Sequence, residues 1–78
     1  MIPLNMTQAG ESARIRRVGG IDQTRRHLNS LGFHEGSVVR LVSKLGGNVI
    51  VMLKASRVAL SRELAARVMV EYLKEDGK

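Results

Sequence analysis

The chain has 78 residues, 44% of them hydrophobic and 26% charged, a balance that belongs to a folded chain and not a disordered one. That length fits one domain, which at this size buries only about 60% of its unfolded surface. Thirteen Lys and Arg against seven Asp and Glu give a formal charge of +6, and there is no cysteine. The charge favours an acidic partner without choosing among nucleic acid, anionic lipid and protein, and the missing cysteine removes disulfides, thiolate metal sites and cysteine nucleophiles.

Residues 1–10 carry neither the basic start nor the apolar core of a signal peptide, and no apolar run reaches the ~20 residues that cross a bilayer. The sequence therefore predicts a chain that is neither secreted by that route nor membrane-spanning, and the lack of cysteine is consistent with a reducing cytosol. Gly10 signals a turn, after which Ala13 and Ile15 alternate with Arg14 and Arg16, as in a half-buried strand over 12–18. Gly19-Gly20 ends it. Asp22 is placed to cap a helix over about 22–31, in which Ile21, Arg25, Leu28 and Leu31 recur at helical spacing. Gly32 stands where such a helix needs a left-handed residue just past its end, and Phe33 can fold back as the apolar contact of that cap.

After a turn at Gly36, residues 37–45 are rich in β-branched types, with Val39 and Leu41 on one face and Arg40 and Val42 on the other. Gly46-Gly47 forms a hairpin into an apolar strand over about 48–54. Some of Val49, Val51 and Leu53 are expected to meet the helix or to remain as an outer apolar patch, with simple cover by the helix and the terminus as an equal alternative. A short extended run, Arg57 to Leu60, leads to Ser61, which caps a single helical turn through Ala65. Alternation of Val68, Val70 and Tyr72 marks the last strand, and a polar tail occupies 73–78. Together these predict a mainly β domain: one small barrel of about five strands with one inserted α-helix, core about 4–72.

Chemistry is sparse. A metal site would have to draw on His27, His34 and Glu35, which do not share a convergent spacing, so these are read as surface groups and no metal or cofactor is expected. Gly46-Gly47-Asn48 lacks the Lys-Ser/Thr of a phosphate-cradling loop, and none of the serines sits in a nucleophile elbow. Arg14, Arg16, Arg17, Arg25, Arg26, Arg40 and Lys44 make a basic surface. Small barrels that read single-stranded nucleic acid pair such a surface with aromatic stacking platforms, whereas Phe33 and Tyr72 are here assigned to packing.

The ordered pattern of Gly10-Glu11, a strand, a Gly-rich break, an arginine-bearing helix and Leu28-x-x-Leu31-Gly32-Phe33-x-x-Gly36 resembles the FeoA family. Arg57 to Ala65 followed by Val68-Met69-Val70 is similar to the second half of that pattern, so the resemblance covers about 4–72. Two places depart from it: Ala55-Ser56 stands where many members carry glycine, and Gly46-Gly47 replaces a longer polar loop. The resemblance implies an SH3-like barrel and a non-enzymatic accessory role in ferrous iron uptake, binding the cytoplasmic region of the FeoB transporter and modulating its assembly or activity. Partner binding is expected at Arg25, Arg26, Leu31, Gly32, Phe33 and Gly36. Self-association is left open, and a basic nucleic-acid-binding barrel is the alternative.

Overall fold

The computed structural model describes residues 1–73, so the polar tail expected at 73–78 lies, from residue 74 on, outside the described residues. Six strands form one antiparallel sheet: β1 (Ile2–Pro3), β2 (Ser12–Val18), β3 (Val38–Leu45), β4 (Asn48–Leu53), β5 (Ser56–Ser61) and β6 (Val68–Tyr72), in the order β1-β6-β2-β3-β4-β5. A helix, α1 (Asp22–Ser30), joins β2 to β3, and a single turn, α2 (Arg62–Ala65), joins β5 to β6. The sheet curls around one core to which β2, α1, β3, β4, β5, α2 and β6 all contribute, with Ile15, Leu28, Phe33, Val51, Ala65, Val68 and Val70 fully buried.

Strand β1 is one more than the five predicted. Ile2 pairs with Val70 and Pro3 with Met69. Two residues are too short to show a period, so only the partner strand reveals them. The chain then makes a 3-10 turn over Leu4–Met6, in which Leu4 is buried and the buried Thr7 donates from Oγ1 to the Leu4 carbonyl at 2.8 Å. This turn packs on β6 and α2, and α2 packs in turn on β4 and β5. The seam between the two sheet edges is thus spanned by packing and not by strand pairing.

Two bulges explain where the alternation drifts. The register of β2 on β6 shifts between Ile15 and Arg17, so that Arg16 and Arg17 both face solvent and Val18 returns to the core. A bulge adds one residue and reverses the inward phase of the residues beyond it. A second shift lies on β3 between Leu41 and Ser43, where Val42 and Ser43 are both half-buried and the strand beyond them is exposed. On β4, Val49, Val51 and Leu53 all face the core. None is left as an outer patch: Leu53 meets the end of α1 at Gly32, one of the expected outcomes, and the outward set is Ile50 and Met52, half-buried beside Ala59 and Arg57 of β5. The reason is that β4 lies in the interior of the sheet, where one face supplies the core and the neighbours' side chains shelter the other.

Asp22 is not the cap of α1. Ile21 holds the extended capping position, and Asp22 is the first helical residue, where its carboxylate accepts from the Arg25 guanidinium. The charge is still well placed, because the helix start favours an anion. The predicted cap of α2 does form: the Leu64 amide donates to Ser61 Oγ at 3.2 Å.

Candidate functional site

The end of α1 is a Schellman cap. The Gly32 amide donates to the Asn29 carbonyl and the Phe33 amide to the Leu28 carbonyl, both at 3.0 Å, the paired pattern that satisfies the last carbonyls of a helix. Gly32 has φ +107°, and a Cβ built on it would lie 3.0 Å from Leu53 Cδ1, so a side chain at this point between α1 and β4 would press on the tip of Leu53. Phe33 folds back into the core beside Leu28. With 0% exposure it has no surface of its own at this corner and supports it from inside.

The chain from Gly32 to Ser37 is then stitched to β2. The Gly36 amide donates to the Ile15 carbonyl at 2.7 Å, the Ile15 amide to the Ser37 carbonyl at 2.8 Å, and Arg14 Nη1 to the Gly36 carbonyl at 2.8 Å. These bonds fix the direction in which the exposed His34 and Glu35 leave the surface.

Three grooves meet at this corner. One, of about 500 Å³, is lined by Asp22, Arg25, Arg26 and Asn29 of α1 together with His34 and Glu35. A second, of about 290 Å³, takes in Leu31, Gly32, His34, Val38, Leu53 and Lys54. The third, of about 560 Å³, shares Ser37, Val38 and Lys54 with it and extends over Gly36, Arg40 and Met52. Five of the six predicted contact residues therefore line one continuous surface, with Phe33 beneath it. Val38, Arg40, Met52 and Lys54 belong to the same surface and were not foreseen. The signal for Val38 was its place directly after Gly36-Ser37, at the start of a strand, where 40% of it is exposed.

This surface alternates cations (Arg25, Arg26, Arg40, Lys54) with apolar groups (Leu31, Val38, Met52), which suits a partner face that is itself apolar with acidic margins. It does not assemble a metal centre: among the described residues no three His, Asp or Glu side chains gather closely enough to hold an ion. Phe33 is buried, and Tyr72, expected to pack, instead lies 39% exposed with its hydroxyl accepting from the Gln8 amide at 3.1 Å. Among the described residues no helix is long and apolar enough to cross a membrane.

Residues 2–72 match the model of the FeoA domain. A protein of Methanocaldococcus jannaschii named Fe(2+) transport protein A is 30% identical over 78 residues, covering 100% of this chain and 95% of that one. The zinc complex of FeoA from Stenotrophomonas maltophilia, described as a prokaryotic SH3 domain protein, is 31% identical with a TM-score of 0.79, covering 91% of each chain. The crystal structure of an iron uptake regulatory protein, FeoA, is 26% identical with a TM-score of 0.86 and covers 92% of this chain and 97% of its own.

Proposed function

The chain belongs to the FeoA family, whose members are linked to ferrous iron transport, and on that premise we propose that it is a non-enzymatic accessory protein that binds the cytoplasmic region of an FeoB-type transporter and modulates its assembly or activity. The observation that carries this reading is the corner where α1 ends: a rigid surface, braced by the Schellman cap and the Arg14–Gly36 bond, on which cations surround exposed Val38 and half-buried Leu31. A docking surface of this kind gains specificity from charge and affinity from its apolar centre. The protein acts in the cytoplasm, at the membrane only through its partner.

The test is binding of the 78-residue chain to the purified cytosolic region of its transporter, paired with ferrous uptake in cells lacking the chain. Arg26→Glu combined with Val38→Asp, two exposed positions, is expected to weaken binding at least about tenfold with the fold retained. Absence of binding at about 100 μM, together with unchanged uptake on deletion, would refute the proposal.

A further inference from the structure

Strand β5 is an unpaired edge. It bonds to β4 on one side, and the last strand on the other side of the order is β1, at the far end of the sheet. Leu53-Lys54-Ala55-Ser56 is a two-residue hairpin, which makes Leu53 and Ser56 a hydrogen-bonded pair, and the alternation of an antiparallel ladder then carries through Val51/Val58 and Val49/Leu60. Arg57 and Ala59 therefore turn their amides and carbonyls outward. No backbone or side-chain partner meets them among the described residues, and both are exposed.

The charge around this edge is one-sided. From Gly36 to Arg62 the chain carries Arg40, Lys44, Lys54, Arg57 and Arg62 and no carboxylate, whereas the rest of the sequence, with eight Lys and Arg against seven Asp and Glu, is nearly neutral. Almost all of the +6 charge thus belongs to the β3–β4–β5 part of the sheet. On the outer face Arg57 and Ala59 flank half-buried Met52 and Ile50; on the inner side Val58 is half-buried at the margin of the core.

We propose that the β5 edge takes an extended acidic segment of another protein, which adds to the sheet as a seventh strand. Edge addition satisfies the outward groups of Arg57 and Ala59 through main-chain bonds. At the spacing of neighbouring strands, a carboxylate placed opposite Arg57 meets its guanidinium, while the alternate residues of the segment lie beside Val58. The ligand is therefore a segment in which carboxylates alternate with apolar residues. A second copy of this chain is a poor occupant, because antiparallel pairing of two β5 edges brings two carboxylate-free cationic regions together. An anionic bilayer answers the charge but offers no main chain to the open amides. The edge is separate from the corner grooves, which neither Arg57 nor Ala59 lines, so this inference does not depend on the transporter reading.

The probe is the capped heptapeptide of alternating Glu and Val, titrated into the ¹⁵N-labelled full chain. Binding is expected to be saturable and to slow hydrogen exchange of the Arg57 and Ala59 amides at least about tenfold. The same peptide with Lys for Glu, and the acidic peptide N-methylated at alternate residues, are expected not to bind. Arg57→Glu, at an exposed position, is expected to weaken the acidic peptide about fivefold and to favour the Lys peptide. The proposal is overturned if the acidic peptide leaves those two amides unprotected, if the methylated or Lys peptide binds as well, or if phosphatidylglycerol-containing vesicles protect them instead.

Discussion

Replacing Gly32 by alanine tests whether the corner is a rigid scaffold. The substitution meets two obstacles: a backbone at φ +107°, which an L-residue occupies only with strain, and a methyl group 3.0 Å from Leu53 Cδ1 in a packed contact between α1 and β4. Sparsely populated backbone conformations cost about 1–3 kcal/mol, and an extra carbon forced into a filled contact costs about 1–3 kcal/mol more. Gly36 separates the two effects, because its φ of +93° imposes similar strain while its added Cβ would meet nothing within 4 Å. Gly36→Ala is therefore expected to cost the backbone contribution alone, and Gly32→Ala both, about 2–6 kcal/mol in total. For a domain this small each kcal/mol lowers Tm by about 4–8 °C, and total stability on the order of 4–12 kcal/mol leaves Gly32→Ala close to the unfolding threshold at 37 °C. Calorimetry or urea titration of the two variants beside the wild type measures this. Equal losses for Gly32→Ala and Gly36→Ala would refute the steric contact with Leu53, and no loss in either would refute the positive-φ backbone at this corner.

Leu4→Ala is expected to cost about 2–5 kcal/mol, as for any buried leucine truncated to a cavity, and the urea midpoint would show it; a loss under about 0.5 kcal/mol would mean that the opening residues do not close the seam of the sheet. Ser61→Ala removes the side-chain acceptor that caps α2 and should lower stability by about 1 kcal/mol, with Ser61→Asp restoring most of it. Glu71→Gln breaks the Arg16–Glu71 ion pair, whose Nε–Oε1 distance is 3.1 Å and whose side chains are 50% and 58% exposed. Its effect should stay below about 1 kcal/mol and vanish in molar salt, and a larger, salt-insensitive loss would show that the pair acts through something other than surface charge. Phe33→Leu should lower Tm and weaken corner binding in parallel, since Phe33 has no exposed surface of its own; a binding loss at unchanged stability would place the ring in direct contact with the partner.

Much of the fold could be read from local pattern. The strand at 12–18, the helix near 22–31, the Gly46-Gly47 hairpin and the capped turn at Ser61 each rest on a period or a turn residue whose cause lies within a few positions of chain. The Gly32-Phe33 cap was equally legible, since a glycine after an amphipathic helix and an apolar residue behind it are local chemistry. What local pattern could not place was anything settled by a distant partner. Ile2–Pro3 becomes a strand only because β6 lies beside it, and Asp22 yields the capping position to Ile21 as the chain leaves Gly20, at φ +101°, for α1. Val18 finds the core only through the shift of β2 against β6.

The same division runs through the candidate site. Arg25, Arg26, Leu31, Gly32 and Gly36 could be picked out because they surround one recognisable cap, yet Val38, Arg40, Met52 and Lys54 join them only where β3 and β4 pass under that cap. Phe33 was correctly tied to the cap, but its burial beneath the surface depends on the whole core. By itself, then, the sequence determined the strand and helix periods, the turns and the basic charge, which are properties of neighbouring residues. Register, bulges, the spanned seam and the surface on which the cations and apolar groups converge were decided by tertiary structure, because each depends on the pairing of segments far apart in the chain.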